Sequence, residues 1–240
     1  MKFRLAWPRF LSVAIASCAT SDQSDCGFQG TSRSAQGPKC EARLAADSGQ
    51  RTISRVESAP VALSATVYRI QIELSDVDRG VYEVLDLRLG RHPSETMRYL
   101  LTRVLAYCLC YEEGIAFTKG LSTNDEPAIW VRDLQGDLRV WIEVGTPSAE
   151  RLHKASKASP RLVVFTYADP ELLQEAARAK AIYKADRLEI YALDPAFLDA
   201  LDAITDRNAR WTLVHTEGML YVTSGAESLS TPVIRHTLTG

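Results

Sequence analysis

The chain has 240 residues, 46% hydrophobic and 24% charged, with a formal net charge of -2. That length buries one sizeable core or two small ones, and 13 Gly with 10 Pro exclude collagen-like and low-complexity classes. No run of eighteen apolar residues occurs, which excludes a spanning helix, and 5 Cys form neither a disulfide framework nor a paired CxxC metal site.

Composition changes near residue 60. Residues 1–60 carry nine Ser, three of the five Cys (Cys18, Cys26, Cys40) and a net charge of +3, whereas residues 61–240 carry -5. Such a step marks a boundary between disordered and folded chain. Three readings stand for the first segment. Lys2, Arg4 and Arg9 ahead of Phe10–Ala16 suit a signal peptide, and Ile15-Ala16-Ser17-Cys18 resembles a lipoprotein lipobox, although Pro8 and Arg9 shorten the apolar core. A disordered extension is the second. The third is a misplaced start, with translation beginning at the Val61 codon. The expected organisation is a disordered or non-native extension over 1–60 and one folded domain over 61–240. The expected location is the cytoplasm, or export if residues 1–20 act as a signal.

From residue 61 the pattern becomes regular. Thr66–Leu74 alternates, with Tyr68, Ile70, Ile72 and Leu74 on one face, and Val81–Gly90 reads as its hairpin partner across the turn Asp76–Gly80. Pro93-Ser94 opens a helix with Ser94 as N-cap. Its apolar stripe is Met97, Leu100, Leu101, Val104, Leu105, Cys108 and Leu109. Cys108 and Cys110 are most simply small core hydrophobes. Strands are expected at Ile115–Thr118, Ala128–Asp133 and Leu138–Val144, with Leu121–Pro127 a polar loop. Thr146-Pro147 starts a second helix reaching about Ser159. Arg161–Tyr167 is a buried strand. Pro170–Lys184, Arg187–Leu193, Pro195–Thr205, Trp211–His215 and Met219–Thr223 continue as helix, strand, helix and hairpin. This order predicts an α/β (α+β) fold, a mixed β-sheet flanked by helices.

Chemistry-bearing residues gather between Pro93 and Tyr167. Asp133-Leu134-Gln135-Gly136 has Asp and Gly where a type I turn with a following bulge wants them. With Asp133 opposite Asp137, Asp125 falls opposite Gly145 and shares a face with Glu143; a one-residue slip brings Ala128 beside Glu143 instead. Two carboxylates on one face suit Mg²⁺, which takes oxygen ligands. Arg151, Lys154 and Lys157 recur along the second helix, either as a cationic stripe toward a phosphodiester or as solvated surface charge. Glu95 lies well off the apolar stripe of the first helix, so it reads as outside the core. It is either a favourable N-terminal acid or an additional site carboxylate. The four His are scattered without an HxxxH or HExxH pattern, and GxSxG, Walker and GxGxxG motifs do not occur.

Three segments carry a family resemblance: Arg91-His92-Pro93-Ser94-Glu95-Thr96, Phe117–Ser122 with Asp125-Glu126-Pro127, and Trp141-Ile142-Glu143-Val144-Gly145. They resemble the bacterial YaeQ family, and Val61-Ala62-Leu63 followed by Thr66-Val67-Tyr68 is similar to that family's N-terminus. The resemblance implies a PD-(D/E)xK nuclease-like core and a metal-dependent phosphodiesterase site. Two positions depart from the nuclease motif: Ala128 stands where it has Asp, and Gly145 where it has Lys. Asp125 and Lys154 are the expected substitutes. The expectation is therefore a Mg²⁺-dependent nuclease-like protein acting on DNA or RNA, without membrane association. Asp125 and Glu143 would bind the metal, Lys154 would act on phosphate or attacking water, and Glu95 would support the site. The alternative is a non-catalytic nucleic-acid or protein interaction module that keeps the fold; the -5 charge of residues 61–240 favours it, because phosphate contacts dominate nucleic-acid affinity.

Overall fold

The computed structural model describes residues 65–118, 126–180, 182–183 and 185–236, all within the unit Ser58–Gly240. In chain order the strands and helices are β1 (Thr66–Asp76), β2 (Val81–Arg91), α1 (Met97–Leu109), β3 (Ile115–Phe117), β4 (Ile129–Arg132), β5 (Leu138–Val144) and α2 (Ala149–Ala158). There follow β6 (Arg161–Thr166), α3 (Pro170–Ala179), β7 (Leu188–Ala192), α4 (Pro195–Ala203), β8 (Asn208–Thr216), β9 (Met219–Ser224), β10 (Glu227–Pro232) and β11 (Ile234–His236).

The strands form two mixed sheets rather than one. The first has the order β10-β9-β8-β1-β2 and the second β11-β7-β6-β5-β4-β3. β1 and β2 pair antiparallel along their whole length, as the alternation predicts, with Tyr68, Ile70, Ile72 and Leu74 buried. The first sheet stands apart because the other edge of β1 takes β8 in parallel, from Arg69 opposite Asn208 to Asp76 opposite His215. Periodicity carries no record of such a distant pairing. The polar strands β10 and β11 were not expected either, since they bury little and show no apolar alternation.

Helix α1 lies in the core that the two sheets share. Nine of its 13 residues are buried. Leu100, Leu101, Val104 and Leu105 join Ile70 and Ile72 of the first sheet and Val140, Ile142, Val163 and Phe165 of the second in one cluster. Each such side chain contributes roughly 1.5–3 kcal/mol by leaving water. Cys108 and Cys110 belong to this cluster, and burial pushes the Cys110 thiol up to about 12. On the opposite face of the second sheet, Trp141, Leu162 and Val164 pack against Leu152 and Ala155 of α2 and Leu173 of α3.

Four local expectations need correction. The N-cap of α1 is Thr96, not Ser94: its hydroxyl accepts from the Tyr99 N–H at 3.2 Å, while Ser94 Oγ turns to His92 Nδ1 at 2.5 Å. The cap of α2 is Ser148, two residues past Thr146, and α3 ends at Ala179 rather than Lys184. The fourth correction concerns the β4–β5 register. The turn forms as predicted, with Gly136 N–H donating to the Asp133 carbonyl at 2.9 Å and Asp133 N–H to Asp137 at 3.0 Å. Beyond it, Arg132 faces Leu138 but Val131 faces Val140, so a bulge at Arg139 shifts the register by one. Ile129 then faces Ile142, and the next pair in this register is Ala128 with Glu143, the slipped alternative.

Candidate functional site

Glu143 is the centre of the site. Trp141 and Glu143 are two apart on β5 and therefore project from one face. The Trp141 Nε1–H donates to Glu143 Oε1 at 2.6 Å, and the Glu143 side chain is only 4% exposed. The chain leaves β5 through Gly145, whose φ of +88° lies in the left-handed region. Its N–H still donates to the Phe165 carbonyl at 2.8 Å, so pairing with β6 continues to the end of the strand. Ser148 then caps α2, its Oγ accepting from the Arg151 N–H at 3.3 Å.

That cap sets Arg151 in the first turn of α2, and its side chain returns to the end of β5. Nε donates to Glu143 Oε1 at 2.7 Å, and Nη2 donates to the Glu126 carbonyl at 2.7 Å. One carboxylate oxygen thus accepts two donors, and one guanidinium bridges it to main chain just ahead of β4. Burial pushes the Glu143 carboxyl above the usual carboxylate range, while Trp141 and Arg151 pull it back.

A second charged pair stands at the N-terminal end of α1. Glu95 Oε2 accepts from the His92 N–H at 3.0 Å, and Glu95 Oε1 lies 3.6 Å from Arg103 Nη1. Both side chains are nearly inaccessible, at 2% and 4% exposure. The guanidinium of Arg103 lies 5.4 Å from the centre of the Phe117 ring and 6.0 Å from that of Tyr99, and among the described residues its Nε has no hydrogen-bond partner. Tyr99 links the two pairs. Burial raises its hydroxyl pKa, Arg103 and Arg151 oppose the rise, and Glu143 and Glu95 add to it.

These contacts sort the predicted residues. Glu143, expected as a metal ligand, is buried near the end of β5 with its carboxylate on Trp141 and Arg151. Asp125 lies outside the described residues, and the register that aimed it at Glu143 is not the one formed. Lys154 is exposed, three residues beyond Arg151 on α2. Glu95 is a correction: it is buried rather than outside the core, because it precedes the Thr96 cap, where a helical wheel does not apply, and its carboxylate turns to the His92 N–H and to Arg103. Sequence reasoning missed Trp141, Arg103 and the aim of Arg151. The i, i+2 spacing of Trp141 and Glu143 could have revealed the first.

Comparison with known proteins adds identity to this geometry. The model of the YaeQ protein family matches residues 61–233. The chain belongs to the YaeQ family. The YaeQ protein of Escherichia coli K12 is 30% identical over 171 residues, covering 70% of this chain and 94% of that protein. The crystal structure of a YaeQ protein from Xanthomonas axonopodis pv. citri matches with a TM-score of 0.67 at 33% identity, over 72% of this chain and 99% of that one. That of a YaeQ protein from Pseudomonas syringae matches with a TM-score of 0.66 at 35% identity, over 73% and 97%. No described helix is long and apolar enough to cross a membrane.

The backbone accounts for one of the two departures from the nuclease motif in this YaeQ chain. Gly145 has room for a side chain, since a Cβ would come no closer than 4.0 Å to Tyr167 and Tyr99, but its positive φ disfavours lysine there. Ala128 is buried, so an aspartate in its place would need donors to offset desolvation. Among the described residues, no three His, Cys, Asp or Glu side chains are grouped for a metal. The donors at Glu143 nevertheless have the right chemistry for a hard cation: a carboxylate and a main-chain carbonyl converge on one positive charge, that of Arg151.

Proposed function

We propose that this YaeQ-family protein is a nuclease-like phosphodiesterase acting in the cytoplasm on DNA or RNA, with a PD-(D/E)xK-type site centred on Glu143. The observation that carries the reading is the convergence of Glu143 Oε1 and the Glu126 carbonyl on one guanidinium, each at 2.7 Å. Oxygens gathered around a cation beside the end of a buried strand suit Mg²⁺. Glu143 and the Glu126 carbonyl would hold it. The ion, when bound, would stabilise charge on the phosphoryl oxygens and lower the pKa of an attacking water.

The protein's own groups have separate tasks in this reading. Trp141 fixes the Glu143 carboxylate in one orientation. Lys154, exposed on α2, attracts the phosphate backbone. Glu95, turned to His92 and Arg103, positions the start of α1 and does not touch substrate.

A second reading, a non-catalytic nucleic-acid or protein interaction module, is favoured by Ala128 and by the left-handed backbone at Gly145, which together remove two motif side chains. Cleavage of single- and double-stranded DNA and RNA, with Mg²⁺ or with chelator, separates the two. Mg²⁺-dependent cleavage lost in Glu143→Gln supports the enzyme. Failure to cleave any substrate, with retained binding to one of them, supports the module.

A further inference from the structure

We infer that Arg151 occupies the cation position of the Glu143 site and must swing away before a divalent metal binds. The inference rests on the metal-site reading above and adds what controls entry to that site.

Three features of the structure lead to it. First, the guanidinium takes both oxygen donors at once: Nε is on Glu143 Oε1 and Nη2 on the Glu126 carbonyl, each at 2.7 Å. A metal on the same two oxygens would lie against a guanidinium of like charge, so the two occupants exclude one another. Second, Glu143 keeps its place whichever cation is present, because the Trp141 Nε1–H holds Oε1 at 2.6 Å independently of Arg151. Third, the main chain at Arg151 is held independently of its guanidinium. Its side chain is 27% exposed against 4% for Glu143, so it reaches in from the solvent side. Its main chain is held by the Ser148 cap, and α2 is anchored beyond it by buried Leu152 and Ala155.

Arg151 therefore sets the metal affinity of the site as a competitor. It keeps a buried carboxylate neutralised when no metal is present, and it makes every binding event an exchange of one cation for another. Lysine could supply the charge, but a single ammonium on a flexible stem lacks the fork that spans both oxygens.

Mn²⁺ titrations of the full chain test this by calorimetry and by the loss of the free-ion electron paramagnetic resonance signal. They are run at pH 8 for every variant. Arg151→Gln should bind Mn²⁺ roughly tenfold or more tightly than the parent, with Arg151→Lys between them. Glu143→Gln added to Arg151→Gln should abolish the gain. Circular dichroism confirms that each variant is folded at the titration temperature, and Arg151→Lys serves alone if Arg151→Gln is not. Equal affinity in the parent and the Arg151 variants, abolished by Glu143→Gln, overturns the competition while leaving the metal site standing. Absence of Mn²⁺ binding in every variant, or binding indifferent to Glu143→Gln, overturns both.

Discussion

Removing the Arg151 charge has a stability cost whose pH dependence follows from the burial of Glu143. Arg151→Gln leaves the carboxylate, 4% exposed, with Trp141 as its remaining donor of the two that meet Oε1. Breaking a fully buried ion pair by removing one partner costs about 3–5 kcal/mol. The 27% exposure of Arg151 and the retained indole reduce this to about 2 kcal/mol, which for a domain of this size lowers Tm by roughly 4–8 °C. Because the Glu143 carboxyl is already raised above its unfolded value, the folded state binds the proton more tightly than the unfolded chain does. Stability therefore falls as pH rises from the ordinary carboxylate range through the folded pKa. Loss of the guanidinium, which pulls that pKa down, widens the interval. The deficit of Arg151→Gln should thus be small at pH 5 and full at pH 8, as read from thermal melts by circular dichroism at one ionic strength. An equal deficit at both pH values, or none at pH 8, would refute the account of Glu143 as a buried charge held by Arg151.

Two further outcomes are expected. Gly145→Lys, which restores the motif lysine, should lose about 1–2 kcal/mol in denaturant melts because φ at this position is +88°, and a variant as stable as the parent would show that the backbone relaxes. Lys154→Ala should reduce nuclease turnover much more than Lys157→Ala if Lys154 acts on the reacting phosphate, by ~10²–10³ for a group aimed at developing charge; equal small, salt-dependent effects on binding at both positions would leave Lys154 a general phosphate contact.

The sequence was most legible where local rules decide the structure. Alternation placed β1 and β2, and the Asp133–Gly136 turn formed with the hydrogen bonds its residues favour. It was least legible where one backbone event or a distant neighbour decides. The bulge at Arg139 exchanged Pro127 for Ala128 opposite Glu143, and no composition signal announces a single extra residue. Glu95 was read as lying outside the core because a helical wheel begun at Pro93 included it, whereas α1 begins at Met97 and Glu95 lies ahead of the Thr96 cap. At the site, Glu143 stood out as a carboxylate ending an apolar strand. Arg151 did not, because a basic stripe on a helix says nothing of which cation turns inward; that depends on the Ser148 cap and the angle at which α2 leaves Gly145.

The most direct test of the central claim is a crystal of this protein soaked in Mn²⁺ and measured at a wavelength where manganese scatters anomalously. An anomalous peak is expected, bonded to a Glu143 carboxylate oxygen and the Glu126 carbonyl, with the Arg151 guanidinium turned away from both. No peak at Glu143, with Arg151 still bridging Glu143 and Glu126 at saturating Mn²⁺, would contradict it.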